Sequence, residues 1–341
     1  MFKIAKELLP MLFEGINKQH DLYVPVIEEE VTNFAPWDSF KRADLDTLKT
    51  ANTPKSLFLP QVENLYSVTI GEKIHINAEP LQSRTFVVLG VRACDETALE
   101  ILDSVYLSQP IDRFYETRRR NGYIITLACP NPAATCFCAS FNIDAARPGG
   151  DVTTWVSSDT LYWLAQNEKG EKLTQSLACF FETADDVEVS ALQESSRRKT
   201  ANLPYNNLSL DKFRDESLLG FFDAPQWQSL HMACIACGTC TFLCPTCQCY
   251  DIRDFDAGSS ICKYRCWDSC MYSDFTLMAH GNPRQSQLER FRQRFMHKLV
   301  YHPASKDGKF GCVGCGRCVS KCPVGLNIVK IIKELGAGSS V

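Results

Sequence analysis

The chain has 341 residues, 45% of them hydrophobic and 22% charged, ordinary globular values that exclude a disordered or fibrous chain. At roughly 150 residues per domain, the length implies about two domains. With 36 basic against 40 acidic residues the net charge is −4, so no global excess points to nucleic acid or an anionic membrane as partner.

Taken along the chain, residues 2–16 place Ala5, Leu8, Leu9, Leu12, Phe13 and Ile16 at helical spacing, with Pro10 able to bend or delay the helix. Short β-branched or aromatic runs at 22–27, 66–70, 85–91, 123–127 and 179–182 predict strands. Between two of them, residues 97–107 carry Leu99, Leu102, Val105 and Tyr106 along one face, as a crossover helix does. The expectation is an α+β or α/β domain over residues 1–215. Its last part, 193–215, holds Ser195, Ser196, Arg197, Arg198 and Lys199, then Asn202, Pro204, Asn206 and Asn207, and reads as a loop or linker. Farther on, residues 285–300 align Leu288, Phe291, Phe295 and Leu299 with arginines opposite, and residues 326–335 align Val329, Ile332 and Leu335. A mainly α-helical second domain is expected over residues 216–341.

The 18 cysteines are out of proportion, and 13 of them lie between Cys234 and Cys322. Disulfide frameworks belong mostly to small secreted chains. Here the stretch Met1 to Gln19 carries Lys3, Lys6 and Glu7 among its apolar residues, unlike a signal peptide, and no run approaches the roughly 18 to 20 apolar residues of a membrane span. The expected setting is a reducing cytoplasm, where clustered thiolates mean metal.

Residues 234–245 read CIACGTCTFLCP and residues 312–323 read CVGCGRCVSKCP, each a C-x2-C-x2-C-x3-C-P run. That spacing is the signature of [4Fe–4S] ferredoxins, in which the fourth cysteine of each run serves the other cluster. One cluster is then expected on Cys234, Cys237, Cys240 and Cys322, and a second on Cys312, Cys315, Cys318 and Cys244. Structural zinc is the competing reading, but its paired C-x2-C sites need neither the third cysteine nor the C-P, twice over. The 67 residues between Cys244 and Cys312 read mostly helical, which favours an α-helical ferredoxin arrangement over the compact hairpin form. They also hold Cys247, Cys249, Cys262, Cys266 and Cys270, whose spacing matches no known run. A further cluster and ordinary reduced thiols are equally open for these five.

In the first domain, Cys94 follows TFVVLGVRA and Cys129 follows YIITLA, at the expected C-terminal ends of two strands, the edge where open parallel sheets bind ligands. Cys136 and Cys138 follow in the loop CPNPAATCFC. These four could hold a third [4Fe–4S] cluster or pack as small apolar residues, the loop position favouring the cluster. Cys179 has no companion and is expected in the core. No GxGxxG, phosphate loop, histidine ligand pair or Ser/His/Asp signature is present, so no catalytic residue is assigned. Residues 283–333 carry eleven Lys and Arg against Glu289 and Asp307. The excess reads equally as compensation for anionic clusters or as a docking face for an acidic partner.

Six segments, PKSLFLPQVENLY (54–66), GVRACDETALEILD (90–103), ACPNPAATCFC (128–138), CPTCQCYDI (244–252), RCWDSCMYSDFTLMAHGNPR (265–284) and RQRFMHKLVY (292–301), together resemble the anaerobic sulfite reductase A subunits and the β subunits of cytosolic sulfhydrogenases. Ala93 departs from the family, where proline is expected, and Cys262 and Cys266 are additional. The resemblance implies a cytoplasmic iron–sulfur electron-transfer subunit of anaerobic metabolism in a hetero-oligomer. It would sit between a flavin-containing NAD(P)H- or ferredoxin-linked subunit and a catalytic subunit such as a sulfite reductase or hydrogenase, with no nucleic acid and no membrane involved. The alternative is a self-contained iron–sulfur enzyme binding flavin or substrate in the N-terminal domain, which a flavin spectrum of the isolated chain would favour.

Overall fold

A computed structural model describes residues 1–215 and 218–336. The chain forms two compact units, neither of them one continuous stretch. The first comprises residues 1–58, 83–207 and 313–316, and the second residues 59–82, 208–312 and 317 onward. The boundary expected between 215 and 216 lies at the edge of the described residues.

The first unit is built on an eight-stranded mixed sheet. Its middle is parallel: Asp21–Glu28, Phe86–Val91, Gly122–Leu127 and Val152–Val156 lie side by side in that order. Parallel strands are covered on both faces and read as unbroken apolar runs, and every residue of Phe86–Val91 is buried. Antiparallel strands extend both edges: Val31–Pro36 on one side, and Thr160–Ala165, Phe2–Ala5 and Glu182–Thr183 on the other. The crossover helix expected at 97–107 is present as Ala93–Tyr106.

Three local expectations change. Phe2–Ala5 is a strand and the helix begins only at Leu9, because Pro10 is accepted in a first helical turn, where its missing N–H is no loss. The supposed linker begins as the second half of the helix Val187–Ala201, whose buried Ser196 and Thr200 direct their hydroxyls to the carbonyls of Cys129 and Ser196. Cys179, expected in the core, is exposed, and its segment Ala178–Phe180 is a short 3-10 turn that precedes the strand Glu182–Thr183.

The second unit carries a sheet beside its helices. Tyr250–Asp256 and Ser260–Trp267 form a hairpin that joins Val62–Thr69 and His75–Ala78 in a four-stranded antiparallel sheet. Gly258, with φ +86°, supplies the turn that the helical reading of this insert overlooked. A buried ion pair, Arg265 Nε to Glu63 Oε2 at 2.6 Å, ties two of these strands together. The helix Gln287–Met296 follows, opened by a capping box in which the Ser286 hydroxyl accepts from the Glu289 N–H while the Glu289 carboxylate accepts from the Ser286 N–H. It runs on through a five-residue π-helical turn, His297–Tyr301. The C-terminal helix Ile328–Gly336 buries Ile328, Val329, Ile331, Ile332 and Leu335. No helix among the described residues is long and apolar enough to cross a membrane.

Candidate iron–sulfur centres

In the second unit, Cys234, Cys237, Cys240 and Cys322 line one cavity open to solvent. The first run alone supplies three of these thiols. The fourth comes from the other run, 82 positions beyond Cys240, and Pro323 behind it also lines the wall. The backbone of 234–240 is shaped around the cavity. Ala236 takes a positive φ of +55° and its N–H donates to Cys234 Sγ at 3.4 Å. At Gly238 the φ of +73° is the left-handed conformation that glycine favours, and a Cβ would press on the Tyr272 hydroxyl at 2.5 Å. Thr239 hydrogen-bonds Cys237 Sγ at 3.4 Å and holds that thiol below its usual range. Burial pushes the Cys240 thiol up, with the Arg294 guanidinium opposing.

Arg294 and Lys298 stand one turn apart and are only 3% and 5% exposed. Arg294 lines the cavity and donates to the Cys240 carbonyl at 2.9 Å, while its Nε is buried without a hydrogen-bond partner. Lys298 Nζ donates to Thr246 Oγ1 at 2.7 Å and to the Gly311 carbonyl at 3.0 Å, and Thr246 Oγ1 lies 3.2 Å from Cys244 Sγ. Burial works against both charges, yet the thiols hold them protonated: Cys240, Cys318, Cys247 and Cys244 around Arg294, and Cys244, Cys247 and Cys312 around Lys298. Buried cations are normally paired, and among the described residues neither has a carboxylate partner. An orphaned guanidinium nitrogen in a cavity walled by four thiols fits an anionic iron–sulfur cluster. Of the charge excess of 283–333, Arg294, Lys298 and Arg317 are buried and so do not belong to an exposed face.

The second run is divided between the units. Cys315 belongs to the first, with residues 313–316, whereas Cys312, Cys318 and Cys244 belong to the second.

In the first unit, the four expected thiols do come together. Cys94, in the first turn of Ala93–Tyr106, packs with Cys129 and Cys138 against Leu48, Ile143 and Ala145. Cys136 lies near enough to act electrostatically on Cys129 and Cys138. Burial raises the Cys129 thiol and pushes Cys138 up to about 12. Cys136 Sγ is 3.9 Å from the Cys315 carbonyl, and Cys315 shares a packed group with Cys94.

Sequence reading missed two residues here. Arg92, 4% exposed, donates to the carbonyls of Leu45, Thr47, Leu48, Leu127 and Ala128 at 2.9 to 3.4 Å, clamping the exits of both strands. Lys49 donates to Thr135 Oγ1 and the Cys315 carbonyl at 3.2 and 3.0 Å. Both bring positive charge to Cys129. The only sequence signal for Arg92 was its place between an apolar strand and Cys94.

All 18 cysteines are unbridged, and no three Cys, His, Asp or Glu side chains among the described residues close around a point as a single metal ion requires. A cluster spreads its irons over several positions and does not impose that convergence.

Comparison with known proteins gives two results. A family model described as a 4Fe-4S dicluster domain matches residues 233–326. Sulfhydrogenase 2 subunit beta of Pyrococcus furiosus is 31% identical over 342 residues, which cover 98% of each chain. On that identity and coverage, the chain belongs to the sulfhydrogenase beta-subunit family, as an iron–sulfur electron-transfer subunit of an oxidoreductase.

Proposed function

We propose that the chain relays electrons between a flavin-containing, NAD(P)H- or ferredoxin-linked subunit and a catalytic redox subunit, within a cytoplasmic hetero-oligomer. The observation that carries the reading is the cavity in which Cys322 of one run meets Cys234, Cys237 and Cys240 of the other. This is the exchange of fourth ligands that a two-cluster ferredoxin makes. Cys312, Cys315, Cys318 and Cys244 are assigned to the second cluster by their spacing alone. Cys94, Cys129, Cys136 and Cys138 hold a third, a reading supported by the packing of Cys94, Cys129 and Cys138 at the edge of the parallel sheet and by the closeness of Cys136 to Cys129 and Cys138.

Bound there, each cluster supplies one-electron transfer. The chain's own residues do the rest. Thiolates bind the iron, backbone N–H groups and Thr239 hydrogen-bond the sulfurs, and Arg294, Lys298, Arg92 and Lys49 place positive charge beside the thiols. Exposed Cys237, with Ile235 and Val324 at 62% and 40% exposure on the same cavity, forms an open rim through which a docked subunit exchanges electrons.

Single substitutions in the anaerobically purified full chain test the ligand sets. Cys322→Ser and Cys234→Ser should abolish the same cluster signal, and Cys94→Ser a different one. If Cys322→Ser instead removed the signal lost with Cys312→Ser, the exchange of ligands would be refuted. Ile235→Asp should slow NAD(P)H-driven cluster reduction in the reconstituted complex while iron content stays constant. An unchanged rate would move the entry point elsewhere.

A further inference from the structure

Five cysteines of the second unit stand outside the ferredoxin runs, and the fold sorts them. Cys262 and Cys266 lie on the strand Ser260–Trp267, opposite Phe255 and Asp251. Cys247, Cys249 and Cys270 gather beside Cys244. Cys247 is hydrogen-bonded thiol to thiol with Cys244, and Cys249 with Cys270, while Cys247 is close enough to act electrostatically on Cys249. The backbone holds them there. The Cys247 N–H donates to the Cys244 carbonyl at 3.3 Å in a turn after the run, and the Asp268 N–H donates to the Cys249 carbonyl at 3.0 Å, fastening the segment WDSC to CQC. Ser269, fully buried between Asp268 and Cys270, meets the Thr241 hydroxyl at 2.8 Å.

Cysteines that merely fill a core sit among apolar side chains and require no counter-charge. These do not fit that description. Lys298 faces Cys247 as well as the run cysteines Cys244 and Cys312, and both Arg294 and Lys298 act on Cys270. Two buried cations are therefore shared among more thiols than the two runs account for. Cys244 is committed to a run on the reading above, which leaves three neighbouring sulfurs without a role.

We propose that Cys247, Cys249 and Cys270 hold an additional iron–sulfur centre, distinct from those of the two runs and of the first unit. Its ligand class is iron with inorganic sulfide on three cysteine thiolates, and Lys298 and Arg294 supply the counter-charge. The proposal rests on the electron-transfer reading only in assigning Cys244 to the second run.

Iron-edge anomalous diffraction from anaerobically grown crystals of the full chain decides the matter without any mutation. Iron density beside Cys247, Cys249 and Cys270, in addition to that at Cys234, Cys237, Cys240 and Cys322, is expected. Loaded runs with no iron beside the three thiols would overturn the proposal, whereas iron missing from the runs themselves would sink the electron-transfer reading instead. In solution, Cys249→Ser and Cys270→Ser should each lose about three or four irons and the same Mössbauer component, with the signals of the runs intact. Cys262→Ser should lose none. Removal of the component that Cys312→Ser removes, or recovery of a disulfide-linked Cys249–Cys270 peptide pair from the anaerobic protein, would also overturn it.

Discussion

Arg294 lies three residues after Phe291 and next to Phe295, within a stretch whose arginines read as the outer face of an amphipathic helix. Periodicity could not reveal its burial, because the groups that keep it inside are thiols brought from other segments. The spacing of the cysteines was legible, and Cys234, Cys237, Cys240 and Cys322 do line one cavity. Adding an electron makes a cluster more negative, so a buried cation beside it stabilises the reduced state. Lys298→Met should therefore lower a cluster potential by on the order of 60 mV, a tenfold change in the ratio of oxidised to reduced forms, and Lys298→Arg should largely restore it, as read by a redox titration. The neighbouring His297 is held down to about 4 by burial, with the charge of Lys298 adding to the effect. Between about 4 and its ordinary 6.5 the unfolded chain binds the proton that the folded chain refuses, so stability falls as the pH drops through that window and levels off below it. The unfolding temperature of His297→Gln should lose this component of the acid slope. Parallel slopes for the variant and the parent would contradict it.

At the scale of elements, strongly patterned segments were read correctly and ambiguous ones were not. The all-apolar Phe86–Val91 and the stripe of Gln287–Met296 each announce one structure. Residues 250–267 do not, because their sheet is solvated over much of its surface and Ile252 and Phe255 are 50% and 61% exposed, so alternation of apolar and polar residues is blurred. Pairing with Val62–Thr69, nearly 200 residues earlier, is what makes them strands. The capping box of Gln287–Met296 gives a local prediction: Ser286→Ala should cost about 1 kcal/mol and speed amide exchange in the first turn about fivefold, without change at Ile328–Gly336. Gly314 gives a sharper one. At φ +61°, a Cβ there would lie 2.4 Å from the Phe137 carbonyl oxygen and 2.6 Å from the Cys138 nitrogen, backbone atoms that cannot swing aside. Gly314→Ala should break the 2.8 Å hydrogen bond from Phe137 N–H to the Gly314 carbonyl and, on the proposal that Cys136 and Cys138 bind iron, lower the iron per chain. Full iron content in that variant would show that the loop is free to move.

For the whole molecule, the division of the sequence between the units governs what can be cut. Residues 313–316 complete the first unit although more than a hundred residues separate them from Asn207, and residues 59–82 interrupt it to build the sheet of the second. Linear reading could not find this, since composition changes along a chain report where cysteines are dense, not which segments return. A chain shortened after Asn207 lacks the carbonyls of Gly314 and Cys315 that accept from Phe137 and Lys49, and should melt well below the first unit of the intact protein, as followed by hydrogen exchange of Gly122–Leu127. Equal protection would show that the returning loop adds nothing. The buried cations carry a consequence for the life of the protein before it is loaded. Without iron the anionic cofactor is missing, and among the described residues no carboxylate stands in for it beside the buried Arg294 and Lys298. A chain without its cofactors should therefore open first around Arg294 and Lys298, so that protease cuts residues 234–312 of the empty protein while the loaded one stays whole.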